Sequence, residues 1–288
     1  MKIIHLSDTH IGHGDCALQS RKIVDDLTLW RPCDTGQHLI IHTGDLVHDA
    51  SDSASLDLAH QLLSELRAFG YRILLCPGNH DYGDSLSMSA GLATQFRSRF
   101  REFLFPDQGQ AEDAGDASFP TLHSVGNWAF IGLDSNWGEL GRFDRLFAEG
   151  KFGEEQLARL DDMLDQQLAS GNRVAVYFHH HPYPYGFMVN PGLGESAAIG
   201  QWIMRLTRSF RRLKDAFSFN QTVRDRAHLL LFGHMHFGLD CRAESGKYGI
   251  PLAFDGGSST GKDMVGKMLR YRIIDLDSLA AETRFLKR

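Results

Sequence analysis

The chain has 288 residues, 42% hydrophobic and 23% charged, with a formal net charge of −6. That length buries a substantial core without covalent staples, and the acidic balance argues against a nucleic-acid or anionic-membrane surface. Four scattered cysteines (Cys16, Cys33, Cys76, Cys241) form neither a Cys-x-x-Cys pair nor a disulfide framework, no apolar run reaches membrane-spanning length, and the first motif follows Met1 too closely for a leader. A cytoplasmic location is the expectation.

Lys2–Leu6 reads as a buried strand delivering Ser7-Asp8-Thr9-His10 at its carboxyl end, followed by a helix over Gln19–Trp30. His38–His42 is a second strand, ending at Thr43-Gly44-Asp45. Asp52 or Ser53 is placed to cap a helix whose inward face, at 3.6-residue spacing, is Leu56, Ala59, Leu62, Leu63, Leu66 and Phe69, with Gly70 to end it. Tyr71–Cys76 is a third strand, and Pro77-Gly78-Asn79-His80-Asp81 is the loop at its end. Polar residues left at the carboxyl end of successive strands are how open α/β sheets assemble sites.

Gln95–Phe103 is expected to be helical, Asp107–Ser118 a surface loop, and Thr121–Val125 with Trp128–Asp134 a hairpin about Gly126-Asn127. Asn136–Gly150 reads as loop. Glu154–Ala169 is a helix with Leu157, Leu160, Leu164 and Leu168 inward, and Arg173–Phe178 a strand running into His179-His180-His181-Pro182. After an aromatic loop over Pro182–Gly194, Ala197–Ala216 reads as a helix carrying Arg205, Arg208, Arg211, Arg212 and Lys214. This basic stretch is taken as a solvated face or a contact in a homo-oligomer rather than a nucleic-acid surface. Ala227–Phe232 leads to Gly233-His234-Met235-His236, and Gly249–Phe254, Leu269–Asp275 and Glu282–Leu286 complete the strands. No repeat or linker divides the chain, so residues 1–288 are expected to form one domain.

The strand-end groups Asp8, His10, Asp45, Asn79, His80, one of His179–His181, His234 and His236 make a mixed oxygen and nitrogen set. Such a set suits Mn, Fe, Co or Zn rather than calcium. It is too large for one tetrahedral ion and about right for two sharing a carboxylate. Two such ions, roughly 3.5–4 Å apart, clamp a phosphoryl group and activate a water. Each piece alone has a plainer reading: Asp8 starts a turn, Asp45 caps the next segment, and Asn79 is a turn residue.

In that order, Asp-x-His, Gly-Asp, Gly-Asn-His-Asp, His and Gly-His-x-His, the chain resembles the calcineurin-like metallophosphoesterases from Asp8 to His236. The resemblance implies an α/β fold, a four-layer αββα sandwich of two mixed β-sheets flanked by helices. It implies that Asp8, His10 and His236 hold one divalent transition metal ion. Asn79, a triplet histidine and His234 would hold the other, with Asp45 bridging. The family's His-x-Pro spacing selects His180, with His179 the alternative. His80 would contact phosphate and protonate the leaving oxygen, Asp81 would orient His80, and Asn79 would help stabilise charge. The implied chemistry is phosphodiester hydrolysis by a hydroxide bridging the two ions. The closest look is the bacterial cyclic-nucleotide and glycerophosphodiester branch, and the partner a small phosphodiester substrate. A phosphomonoesterase, a nuclease of the recombination-repair branch and a non-catalytic scaffold are the alternatives. His13, His48 and His181 are open between pocket and solvated positions, and Tyr183 and Tyr185 between substrate contact and loop packing. His5, His38, His60, His123 and His228 read as structural or surface residues.

Overall fold

Leu39-Ile40-Ile41, Val174-Ala175-Val176 and Leu229–Phe232 are uninterrupted apolar runs, stable in a sheet only where both faces are covered. The computed structural model, which describes residues 1–30, 38–83, 88–107, 118–136, 149–183, 213–262 and 268–287, covers them on both sides. The strands of a first sheet are β1 (Lys2–Leu6), β2 (His38–His42), β3 (Arg72–Leu75), β9 (Met268–Asp275) and β10 (Ala281–Lys287). Those of a second are β4 (Thr121–Val125), β5 (Trp128–Gly132), β6 (Arg173–Tyr177), β7 (Leu229–Phe232) and β8 (Leu252–Asp255). The first has the order β10-β9-β1-β2-β3 and the second β4-β5-β6-β7-β8. Both are mixed: β1, β2 and β3 run parallel with β9 antiparallel to β1, while β5 to β8 run parallel with β4 antiparallel to β5.

The two-residue strand period divides each apolar run between two layers. Ile3, Leu39 and Ile41 face Leu229, Leu231 and Phe254 between the sheets. Ile4, Leu6 and Ile40 turn outward to Ile23 and Leu27 of α1 (Cys16–Trp30) and Leu56 and Leu62 of α2 (Ser53–Ala68). Leu230 and Phe232 turn the other way, to Leu160 and Leu164 of α5 (Glu154–Ala169) and Phe219 of α6 (Ala216–Thr222). The expected four-layer αββα sandwich is the fold observed. No helix among the described residues is long and apolar enough to cross a membrane.

Several boundaries move for identifiable reasons. Asp52 caps α2 as expected, accepting from Ala54 N. The first helix begins at Cys16 rather than Gln19, because Gly12 and Gly14 complete the turn early and Cys16 already packs inward. The helical segment expected at Gln95–Phe103 starts at Ala90, where Ser89 Oγ accepts from Leu92 N, and it divides at Phe100 into α3 (Ala90–Arg99) and α4 (Arg101–Leu104). The helix expected over Ala197–Ala216 does not run through Leu213, Lys214 and Asp215: Asp215 turns its carboxylate to the amides of Phe152 and Gly153, and α6 starts at Ala216. Residues 197–212, with Arg205, Arg208, Arg211 and Arg212, lie outside the described residues, as do most of the loops expected at 107–118, 136–150 and 182–194, including Tyr185.

An ion pair joins the two sheets beside the strand ends. Arg97 of α3 places Nη2 2.5 Å from Asp134 Oδ2, just beyond β5, and Tyr82 Oη donates to the same oxygen at 2.7 Å. Asp134 is buried and Arg97 only partly so. Arg97→Met, which keeps the stem and removes the charge, is expected to lower stability by about 2–3 kcal/mol, read as a lower urea midpoint at unchanged slope.

Candidate metal centre

The parallel strands of both sheets end along one edge, and the polar residues after β1, β2, β3, β6 and β7 meet there. Five of them hold backbone conformations that side chains rarely adopt: φ is +50° at Asp8, +45° at His10, +53° at Asp45, +75° at His234 and +62° at His236. Each costs of order 1 kcal/mol or more, and such outliers persist only where surrounding structure enforces them. Here Asp8 N donates to Gly44 O and His10 N to Asp45 O, both at 3.0 Å, binding the β1 and β2 loops together. Glycines make room for this crossing. A Cβ at Gly78 would run into the amide and carboxylate of Asp45, and one at Gly233 into Ser7 Oγ and Asp8 Oδ2.

The result is two donor groups with one member in common. Asp8, His10, Asp45 and His236 form the first, and Asp45, His179 and His234 the second, the ligand atoms of each lying within 4.8 Å of one another. In the first, His10 Nε2 is 3.0 Å from His236 Nε2 and 3.6 Å from Asp45 Oδ2, and His236 Nε2 is 3.4 Å from Asp8 Oδ1. In the second, His179 Nε2 is 3.3 Å from the same Asp45 Oδ2, 3.1 Å from Asn79 Oδ1 and 3.2 Å from His234 Nδ1. Asp45 Oδ1 is occupied otherwise, accepting from His80 N at 2.9 Å, so one carboxylate oxygen faces both groups.

Electrostatics agree with a site shaped for cations. Burial holds the His10 pKa well below its ordinary value, against the pull of Asp45, so its ring is a neutral lone-pair donor. Burial opposes charge on Asp45 as well. His179, His80 and His10 outweigh it and hold the carboxyl well below the carboxylate range. Burial likewise works against His179, and Asp45 overcomes it to raise that imidazole above its usual value. Positive charge on His179 thus faces Asp45, and a cation held there would take the place of that proton.

Two expectations require correction. The His-x-Pro spacing selects His180, yet the imidazole that reaches Asp45 and Asn79 is His179. Its Nδ1 is fixed by Thr43 O at 2.8 Å, while His180 has Nδ1 2.7 Å from Ser135 Oγ and packs its ring against His234, with centroids 4.4 Å apart, outside the group that Asp45, His179 and His234 form. Nor does Asp81 orient the His80 ring. Its carboxylate accepts from Gly78 N and Val47 N, at 2.9 and 3.0 Å, and so ties the β2 and β3 loops together. Burial and the neighbouring Asp45 push that carboxyl up to about 8, against the two amide donors. The His80 ring is set by a backbone group: Nδ1 donates to His48 O at 2.7 Å.

Of the remaining histidines, His48 stacks on His80 at 5.0 Å, and exposed His13 lies against His48. His10, His48 and His80 form a third, carboxylate-free donor group. His181 is a core residue against Phe232, its pKa brought down to about 3 by burial, and Tyr183 packs beside it. His5 is buried against Thr43, His60 pairs with Glu102, His123 with Asp107, and His228 accepts from Val174 N. What the sequence did not signal is the support from the far end of the chain. Ser258 Oγ and Thr260 Oγ1 donate to Asp8 O and Thr9 O, and Lys262 Nζ lies 3.5 Å from His10 Nδ1. The one trace of this support was the small polar run Gly256–Gly261 after a strand.

An αββα sandwich with two donor sets meeting at strand ends defines a class of metal-dependent hydrolases. The sequence profile of the calcineurin-like phosphoesterases matches residues 1–238, and the chain belongs to that family, whose members act on phosphoric esters and are dimetal-dependent. None of the curated proteins compared with the chain matches it. Among solved structures it is similar to a dimetal phosphatase from Danio rerio, at 14% identity over 99% of this chain and 95% of that one, with a TM-score of 0.64. It is also similar to a protein of Thermus thermophilus, at 16% identity over 99% of both chains, with a TM-score of 0.52. At such identities the likeness is one of fold.

Proposed function

We propose that the protein is a dinuclear metal-dependent phosphodiesterase acting on a small phosphodiester. Asp8, His10 and His236 would hold one ion, Asn79, His179 and His234 the other, with Asp45 between them. The observation that carries this reading is the single Asp45 oxygen facing both donor groups. When bound, a pair of Mn, Fe, Co or Zn ions supplies Lewis acidity to the phosphoryl oxygens and a water acidified to near-neutral pKa. The chain's own residues do the rest. Asn79 directs its amide oxygen to the second group, and its side-chain N–H donors are available to a phosphoryl oxygen. The His48 carbonyl accepts from His80 Nδ1–H, so the proton that His80 would give a departing alkoxide is a second one, carried on Nε2, and the ring is left as the Nδ1–H tautomer.

A diester rather than a monoester is favoured by the surroundings. Among the described residues the wall beside the ligands is imidazole, from His13, His48 and His80. The neighbouring ammonium, Lys262, meets His10 at Nδ1, away from Nε2. A dianionic monoester calls for a further fixed cation that this wall does not offer. Of the family's branches, the cyclic-nucleotide and glycerophosphodiester one fits this reading. Metal-depleted protein reconstituted with each ion in turn, and assayed on a bis-aryl phosphate and the matching monoester, is expected to prefer the diester in kcat/KM. Monoester preference with every ion would move the assignment to a phosphatase.

A further inference from the structure

Behind Asp8 runs a file of buried polar groups that the metal reading does not use. Ser7 Oγ lies 2.5 Å from Asp8 Oδ2 and 2.8 Å from Thr43 Oγ1, and Thr43 Oγ1 lies 3.0 Å from His5 Nε2. His5, Ser7 and Thr43 are fully buried between the sheets. Counting protons gives the file a direction. An ionised carboxylate only accepts, and each hydroxyl has one proton to give. Ser7 therefore donates to Asp8, since its other acceptor, Thr43 O, is 3.4 Å away. Thr43 then donates to Ser7, and Thr43 Oγ1 accepts from His5 Nε2–H. That tautomer leaves His5 Nδ1 a buried nitrogen with no hydrogen-bond partner. A group left so needs a reason to be there, and an apolar side chain would fill the same core position at less cost. Space is also kept clear for the file: a Cβ at Gly256 would stand 2.7 Å from Ser7 Cβ and 3.0 Å from His5 Nε2.

Asp8 shows what the file accomplishes. Its two oxygens share His234 N–H, at 3.1 Å from Oδ2 and 3.2 Å from Oδ1; Oδ2 alone receives Ser7 Oγ–H, while Oδ1 also turns to His236 Nε2 and His10 Nε2. We propose that Thr43, backed by His5, is a positioning residue for Asp8, committing the Ser7 proton to Oδ2 so that Oδ1 is held for the first ion. Thr43 touches the second donor group as well, but through its backbone, whose carbonyl fixes His179 Nδ1. Side chain and main chain of one residue thus serve different ions, and a substitution can separate them.

The proposal rests on Asp8 being a ligand in the dinuclear reading, and the experiment distinguishes the two. Chelator-treated wild type and Thr43→Val, which keeps the shape and the carbonyl, are titrated calorimetrically with Mn²⁺, with thermal melting in chelator as a fold control. Wild type is expected to show two binding steps. In Thr43→Val one step weakens roughly tenfold, the scale of an outer hydrogen-bond partner's loss, and the other is unchanged. Thr43→Ser restores both. His5→Phe, a second and independent variant should Thr43→Val fail to fold, weakens the same step by a smaller factor. Two intact steps in both variants, or equal weakening of both steps, would overturn the positioning role while leaving the dinuclear site standing. A wild type that takes up fewer than two ions removes both.

Discussion

Asparagine in place of Asp45 is expected to lower kcat/KM by roughly a thousandfold or more and to reduce the bound metal from two ions toward one. The substitution keeps the shape and an acceptor for His80 N, so the loop between β2 and α2 has little reason to rearrange. What it removes is the charge on the oxygen that lies 3.6 Å from His10 Nε2 and 3.3 Å from His179 Nε2. A ligand common to two ions has no substitute, because the other carboxylate of the site, Asp8, faces the first group alone. Losing several kcal/mol of transition-state charge stabilisation gives a loss of that order. Metal analysis beside steady-state kinetics checks it. An Asp45→Asn enzyme with wild-type turnover and two ions would remove the bridging role.

His80→Ala is expected to behave differently, lowering kcat by roughly a hundred- to a thousandfold with metal content unchanged. His80 sits beside both groups without entering either carboxylate-containing set, and its ring orientation comes from the His48 carbonyl rather than from a ligand. A general acid matters in proportion to the basicity of the group it protonates. The loss should therefore be largest for an alkyl leaving group and shrink for a nitrophenolate, which departs unaided. Equal losses across leaving groups, or loss of metal, would assign His80 a ligand or purely structural part. Asp81→Asn is no surrogate for this test, since Asp81 binds the amides of Gly78 and Val47.

The fold was largely legible because its main signal is local. Apolar runs at β1, β2, β6 and β7 and the Leu56-to-Leu66 face of α2 report burial by period alone, and each was followed by the polar residue that the strand end presents. That Asp8, His10, Asp45, Asn79, His234 and His236 come together was legible for the same reason: each sits where its strand stops. The choice between His179 and His180 was not. Successive residues past a strand end point to opposite sides, and which side faces Asp45 depends on Thr43 O and Ser135 Oγ, contributed by other strands. The error over Asp81 has a similar origin, because a side chain next to His80 in sequence competes with backbone groups brought in from residues 47 and 48. Long-range support from Ser258, Thr260 and Lys262 has no local pattern at all; it exists only once β8 is beside β7 and its loop lies over β1.

The most direct test of the central claim is anomalous diffraction from crystals of the protein grown with manganese. Two peaks flanking the Asp45 carboxylate are expected, one among Asp8, His10 and His236 and the other among Asn79, His179 and His234. A single peak, or a second one lying at His180 or at the His48–His80 pair instead, would contradict it.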